Sequence, residues 1–134
     1  MTTTYLTTGT KSLSTRLSKL GYSSYSEYLS SNHWKELKLD FKKRSKKAKK
    51  MVKKYGRVVC DICHEPKKYS MHHKTYKRLG GEFLDDIIPV CDNCHRHIHI
   101  LHSNGMDLWR ATKNGAKDIR RFQRLNRQTK EKVA

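Results

Sequence analysis

Two C-x2-C pairs, Cys60 with Cys63 and Cys91 with Cys94, stand 27 residues apart and enclose the double histidine His72–His73. Four thiols in two such pairs have the number and spacing that close a tetrahedral zinc site. Such a site forces two distant stretches of chain together. It would tie down the loop carrying His72 and His73 and the segment after Cys94, which carries His95 and His99. The chain thus offers one metal site for structure and a second, histidine-rich one for chemistry.

Composition supports a metal-stapled fold. With 134 residues and a hydrophobic fraction of 35%, the chain can build one small domain with appendages but not two large cores. Zinc would supply cohesion that the apolar residues cannot. A disulfide framework is the rival use of four cysteines in a small secreted chain. The Thr-rich start, Met1 to Thr10, has no apolar signal-peptide region. No stretch reaches the length of a membrane span. The expectation is a cytoplasmic protein with no membrane partner, whose thiols bind structural Zn2+.

The net charge of +18, from 30 Lys and Arg against 12 Asp and Glu, exceeds what solubility requires. It favours a polyanion as partner, nucleic acid first. The basic segments lack the Trp, Phe and Leu face of a helix that lies on a membrane.

The expected organisation has four stretches. Residues 1–23 form an N-terminal arm, either mobile or carrying a short helix with Leu13, Leu17 and Leu20 on one face and Gly21 at its end. Residues 24–56 form a basic helical region. There Tyr28 and Leu29 sit on a first short helix, and Ser31 or Asn32 caps a longer one. Trp34, Leu37, Phe41, Ala48 and Val52 make a narrow apolar stripe along that longer helix, and Gly56 stops it. Its other faces carry Lys42, Lys43, Arg44, Lys46, Lys47, Lys49, Lys50, Lys53 and Lys54, with no acid after Asp40. These cations repel one another unless a polyanion is near, so a helix that tracks DNA is favoured over a merely solvated face. Residues 57–102 form the metal-bearing module. Residues 103–134 form a basic extension in which Leu108 and Trp109 suggest a small packing cluster. Beyond them Ile119, Phe122 and Leu125 line one side of a final helix bearing Arg120, Arg121, Arg124 and Arg127.

Within the module, Tyr69–His73 reads as a strand, on which adjacent side chains face opposite ways. If His72 turns to a metal, His73 can turn to another partner, such as a water. Ile87–Val90 is a second strand or turn, and Cys94 to Leu101 a short helix. On that helix His95 and His99 share a face at i and i+4, a spacing that chelates a divalent ion. Ordinary polar surface suits His64, His97 and His102.

The run MHHKTYKRLGGEFLDDIIPVCDNCHRHIH resembles the motif of the HNH endonucleases, in their zinc-containing branch with two Cys pairs. With the first Cys pair included, residues 60–99, the resemblance covers about a third of the chain. The preceding YSEYLSSNHWKELK is similar to the lead-in of small phage-type HNH proteins. The resemblance implies an α+β fold: a small ββα-metal module stapled by the four-cysteine zinc site and flanked by basic α-helices. His73 matches the general base and His72 the neighbouring ligand of the catalytic ion. His95 matches the final ligand, with His99 completing the set. Asp86 stands where the motif usually has Asn, bracing the loop and helping to orient the base. That departure leaves an acceptor but removes an amide donor, and Asp85 could share the role.

The chemistry is consistent with phosphodiester hydrolysis, which needs a base near neutral pKa and a cation for the charge on the phosphoryl oxygens. Lys74, Arg78 and Arg96 could hold the phosphate, and Lys43, Arg44, Lys46, Lys47, Lys50, Arg120, Arg121 and Arg124 extend the DNA-binding set. Histidine ligation suits Zn2+, Ni2+ or Mn2+, whereas the family implies Mg2+ or Mn2+. The expected function is a metal-dependent DNA endonuclease. A non-catalytic zinc-knuckle module that binds nucleic acid is the alternative. One small active site addresses one strand, so a double-strand break requires a homodimer or two nicks. A phage origin, with a packaging, recombination or homing role in the host cytoplasm, follows from the resemblance alone.

Overall fold

A computed structural model describes residues 12–133. The helices are α1 (Ser12–Lys19), α2 (Tyr25–Leu29), α3 (Asn32–Arg44), α4 (Lys46–Tyr55), α5 (Asp92–Ser103) and α6 (Leu108–Val133). Strands β1 (Tyr69–His73) and β2 (Ile87–Cys91) pair in a two-stranded antiparallel sheet. The class is α+β, with β1, β2 and α5 in the expected ββα order. No described helix is long and apolar enough to cross a membrane. The part of the N-terminal arm before Ser12 lies outside the described residues.

The chain forms two compact units. One joins the residues up to Val58 with His73–Ile88, and the other joins Val59–His72 with the chain from Pro89 onward. The expected module of residues 57–102 is therefore divided between them, and the chain changes unit between His72 and His73.

In the first unit, local signals set the helix ends. The Leu17 carbonyl accepts from Tyr22 N at 2.9 Å, and Gly21 takes a φ of 87° where α1 ends. Ser24 and Ser31 cap α2 and α3, their hydroxyls accepting from Glu27 N and Trp34 N. The single long helix expected from Ser31 to Gly56 is two helices, broken at Ser45. Buried Ser45 has extended backbone, donates its N–H to Phe41 O to close α3, and caps α4 by accepting from Ala48 N. The break resets the helical phase. Trp34, Leu37, Phe41 and Ala48 are buried as the stripe requires, but Met51 takes the next inward position and Val52 is 49% exposed. Gly56 ends α4 in the left-handed conformation at φ 81°, as predicted. Gly80, at φ 89°, lies under Leu20, and a Cβ there would come within 2.8 Å of the leucine methyl.

In the second unit α6 packs on α5 through small residues. Ala111 and Ala116 are buried, and a Cβ on Gly115 would meet Ile98 Cγ1 at 3.0 Å. Close approach of the two helices therefore depends on the absent side chain at Gly115. The apolar face of α6 is its first half, around Leu108, Ala111 and Thr112. The expected line of Ile119, Phe122 and Leu125 does not form a buried face, since Phe122 is 56% and Leu125 47% exposed. Trp109 does not pack inward with Leu108 and is 48% exposed.

Candidate metal centre

The knuckle-like turn that carries the first Cys pair begins at buried Val59 in the second unit. Asp61 N donates to Pro89 O at 2.8 Å, joining the first Cys pair to β2. His64 N donates to Cys60 O at 2.9 Å, and His64 itself takes a φ of 61°, which closes the turn. The four cysteines are free and buried, and their sulfurs lie within 4.8 Å of one another. Cys63 Sγ and Cys91 Sγ are 3.9 Å apart. That is near the edge of a tetrahedron with Zn–S bonds of about 2.3 Å and far beyond a disulfide. A hydrogen bond from Cys94 pulls the Cys60 thiol down to about 4. The thiolate so favoured, together with burial, raises Cys94, while burial foremost pushes Cys63 up to about 12. Several thiolates cannot share this small volume without a cation, so the donor set is compatible with structural zinc.

The knuckle carbonyls are held from α6. Arg120 Nε and Nη2 donate to Ile62 O and Asp61 O at 3.3 and 3.2 Å, and Gln123 donates to Cys63 O at 3.0 Å. Arg120, assigned to DNA on sequence grounds, is thus bonded to backbone.

The same unit holds a second donor set. One ring nitrogen each of His72, His95 and His99 lies within 4.8 Å of the others. His95 and His99, one turn apart on α5, bring their Nε2 atoms to 2.9 Å. Two imidazole nitrogens at that distance share one hydrogen or one cation. Burial lowers the pKa of both rings. For His99 it is aided by its histidine neighbours and reaches about 4, so both imidazoles are neutral at pH 7. The set fits an imidazole-bound divalent ion. Arg96, His99, Ile100, Ser103 and Asn104 line an open cleft of about 320 Å3 on α5. His97 is more than bare surface, since its Nε2 bonds Asp118 on α6 at 2.9 Å.

His73 lies in the first unit and is 1% exposed. Its ring stacks on Trp34 at 4.6 Å. Nε2 is 2.8 Å from Glu82 Oε2, and Nδ1 is 2.7 Å from the Tyr25 hydroxyl. Glu82 also accepts from Tyr28, from His33 at 2.8 Å and from Gly80 N at 3.1 Å. Burial alone would raise the Glu82 pKa, but the bonds from His73, Tyr28 and His33 outweigh it and hold the carboxyl at about 2. An ionised carboxylate only accepts, so His73 Nε2 carries the hydrogen and Nδ1 accepts from Tyr25.

Asp86 is buried, accepts from Phe83 N at 2.9 Å and pairs with Arg78 at 2.8 and 2.5 Å. The carboxylate that touches His73 is Glu82, not Asp86, and Asp85 is exposed. Arg78, expected to hold phosphate, is engaged with Asp86. Lys43, Arg44, Lys46, Lys50, Arg96, Arg121 and Arg124 are exposed, while Lys47 and Lys74 are half-buried. Sequence reasoning missed Glu82, Tyr25, Trp34 and Thr112, because each meets its histidine through tertiary contact rather than a local spacing. Only the cluster Tyr25, Tyr28, His33 and Trp34, crowded before a double histidine, hinted at an aromatic nest.

No family model matches the chain, and neither a curated protein nor a solved structure does.

Proposed function

We propose that the chain is a metal-dependent endonuclease of the HNH type, which hydrolyses phosphodiester bonds in DNA. The convergence of His72, His95 and His99 carries this reading. Three imidazoles in one unit with a four-cysteine cluster would separate a reactive ion from a structural one. When bound, the reactive ion supplies positive charge to the phosphoryl oxygens and the departing 3′ oxygen. His72, His95 and His99 hold it. His73, the next residue after His72, takes the proton from the attacking water, which leaves a 5′-phosphate and a 3′-hydroxyl. To do so its Nδ1 must exchange the Tyr25 hydroxyl for water, while Glu82 keeps Nε2 protonated and stabilises the imidazolium. The exposed cations of α4 contact backbone phosphates without reading sequence.

A second reading has its own supporting observation: both ring nitrogens of His73 are engaged and the ring is buried. The chain would then bind nucleic acid without cutting it. Incubation of zinc-loaded protein with supercoiled plasmid and Mg2+, Mn2+, Ni2+ or added Zn2+ separates the two. Nicked or linear product is expected, and is expected to vanish in His95→Ala and His73→Ala. No metal-dependent product, or equal cleavage by both variants, would overturn the nuclease reading. Retained plasmid binding in that case would favour the binding module.

A further inference from the structure

Thr112, one turn into α6, is 5% exposed, and its Oγ1 has two partners: Leu108 O at 2.8 Å and His72 Nε2 at 2.9 Å. A hydroxyl has one hydrogen, and a carbonyl oxygen can only accept. With that hydrogen on Leu108 O, Oγ1 accepts from His72, so Nε2 carries the N–H and the lone pair of the neutral ring stands on Nδ1. We infer that Thr112 is a positioning residue that fixes His72 as the Nε2–H tautomer and makes Nδ1 its metal-binding nitrogen. The inference rests on reading His72, His95 and His99 as a metal site.

The direction of this one hydrogen bond decides whether His72 can be a ligand. If Thr112 donated to Nε2 instead, the ring proton would sit on Nδ1, and neither nitrogen would have a lone pair to offer an ion. Thr112 lies on a different helix from His95 and His99, so the arrangement couples the docking of α6 to the competence of a ligand on β1. Outer partners of this kind typically change metal affinity by about 10–100-fold.

Two measurements test it. In the zinc-loaded wild type before Ni2+ is added, long-range 1H–15N correlation spectra should show His72 protonated at Nε2. A His72 protonated at Nδ1 overturns the inference whether or not the protein cuts DNA. Calorimetric titration of the zinc-loaded protein with Ni2+ should then show Thr112→Val, which keeps the shape but loses the oxygen, binding about 10–100-fold more weakly. Thr112→Ser should stay close to wild type. Equal or tighter Ni2+ binding by Thr112→Val overturns the inference, because that result belongs to the opposite hydrogen-bond direction. Far-ultraviolet circular dichroism and zinc content, unchanged in both variants, show that the fold is intact. A wild type that binds Ni2+ but leaves plasmid uncut defeats the nuclease reading and not the role of Thr112.

Discussion

His72 and His73 are neighbours in the chain, yet one joins a cluster of like donors and the other a network of unlike partners. Around His73, every polar atom meets a partner of opposite character: Tyr25 gives, Glu82 receives, and His33, Tyr28 and Gly80 complete the carboxylate. Around His72, three like donors converge, and His95 and His99 present nitrogen to nitrogen. A closed network supports its own geometry, whereas converging lone pairs ask for a cation. The contrast sets a histidine held in a hydrogen-bond network of unlike partners against histidines whose nitrogens converge on one another. It arises because side chains alternate along a strand, so β1 sends consecutive residues to different surroundings.

The four cysteines lie at the extreme of the like-donor kind, and losing one should have the largest effect. Cys60→Ser should unfold or strongly destabilise the second unit, since metal binding free energy there is folding free energy, on the order of 10 kcal/mol for small zinc modules. Zinc content and thermal unfolding check this. Unchanged stoichiometry and melting would show that the sulfurs hold no structural ion.

His95→Ala is next, and it should separate ligation from folding. His95 is half-buried on α5, so its loss should leave zinc content and circular dichroism near wild type. Cleavage should fall on the order of 1,000-fold, the equivalent of about 4 kcal/mol of lost transition-state stabilisation. If the variant instead loses its fold together with its activity, His95 belongs with the histidines that hold the structure.

Much of this division was legible before folding. Spacing alone pointed to the four cysteines and to the His95–His99 pair, because C-x2-C and H-x3-H are local pairs that a turn or a helix brings together, whereas His72 entered through the family resemblance. Gly56 was legible because only its missing side chain tolerates the left-handed cap. Ser45 was not: a serine inside a cationic run scores as helix, and only the buried double cap shows why the helix breaks there. Glu82 was hidden for another reason. It lies in a loop after two glycines, where a carboxylate is ordinarily solvated, and its partners Tyr28, His33 and His73 come from three separate elements.

The closed network should reveal itself through pH. The Glu82 side chain is fully buried, and its pKa falls from 4.5 to about 2 on folding. A depressed carboxyl stabilises the fold fully above its unfolded pKa and loses that contribution as pH falls through the folded value. Wild type should therefore lose about 3 kcal/mol between pH 5 and pH 2 from this group. Glu82→Gln should be less stable at pH 7, and its stability should fall less steeply over the same window. Denaturant melts at several pH values measure both. Parallel pH profiles for the two proteins would mean that Glu82 does not anchor the network.

The smallest expected effect is the one that bears most directly on the contrast. Tyr25→Phe keeps the ring packed on Tyr28 and Tyr76 but removes the hydroxyl that donates to His73 Nδ1. An isolated buried acceptor left unmatched costs about 1–3 kcal/mol, and less if water reaches it. A loss near 1 kcal/mol is therefore expected, readable as a shift in the denaturation midpoint. Cleavage is the sharper readout. If Nδ1 is the base, the missing hydroxyl no longer competes with water, and cleavage should rise or hold despite the lower stability. If the Tyr25 bond instead keeps the ring in its working orientation, cleavage should fall with Glu82 still in place. Unchanged cleavage in both Tyr25→Phe and His73→Ala would leave His73 as a core residue alone. The two adjacent histidines would then differ not only in their surroundings but in whether they take part in the reaction at all.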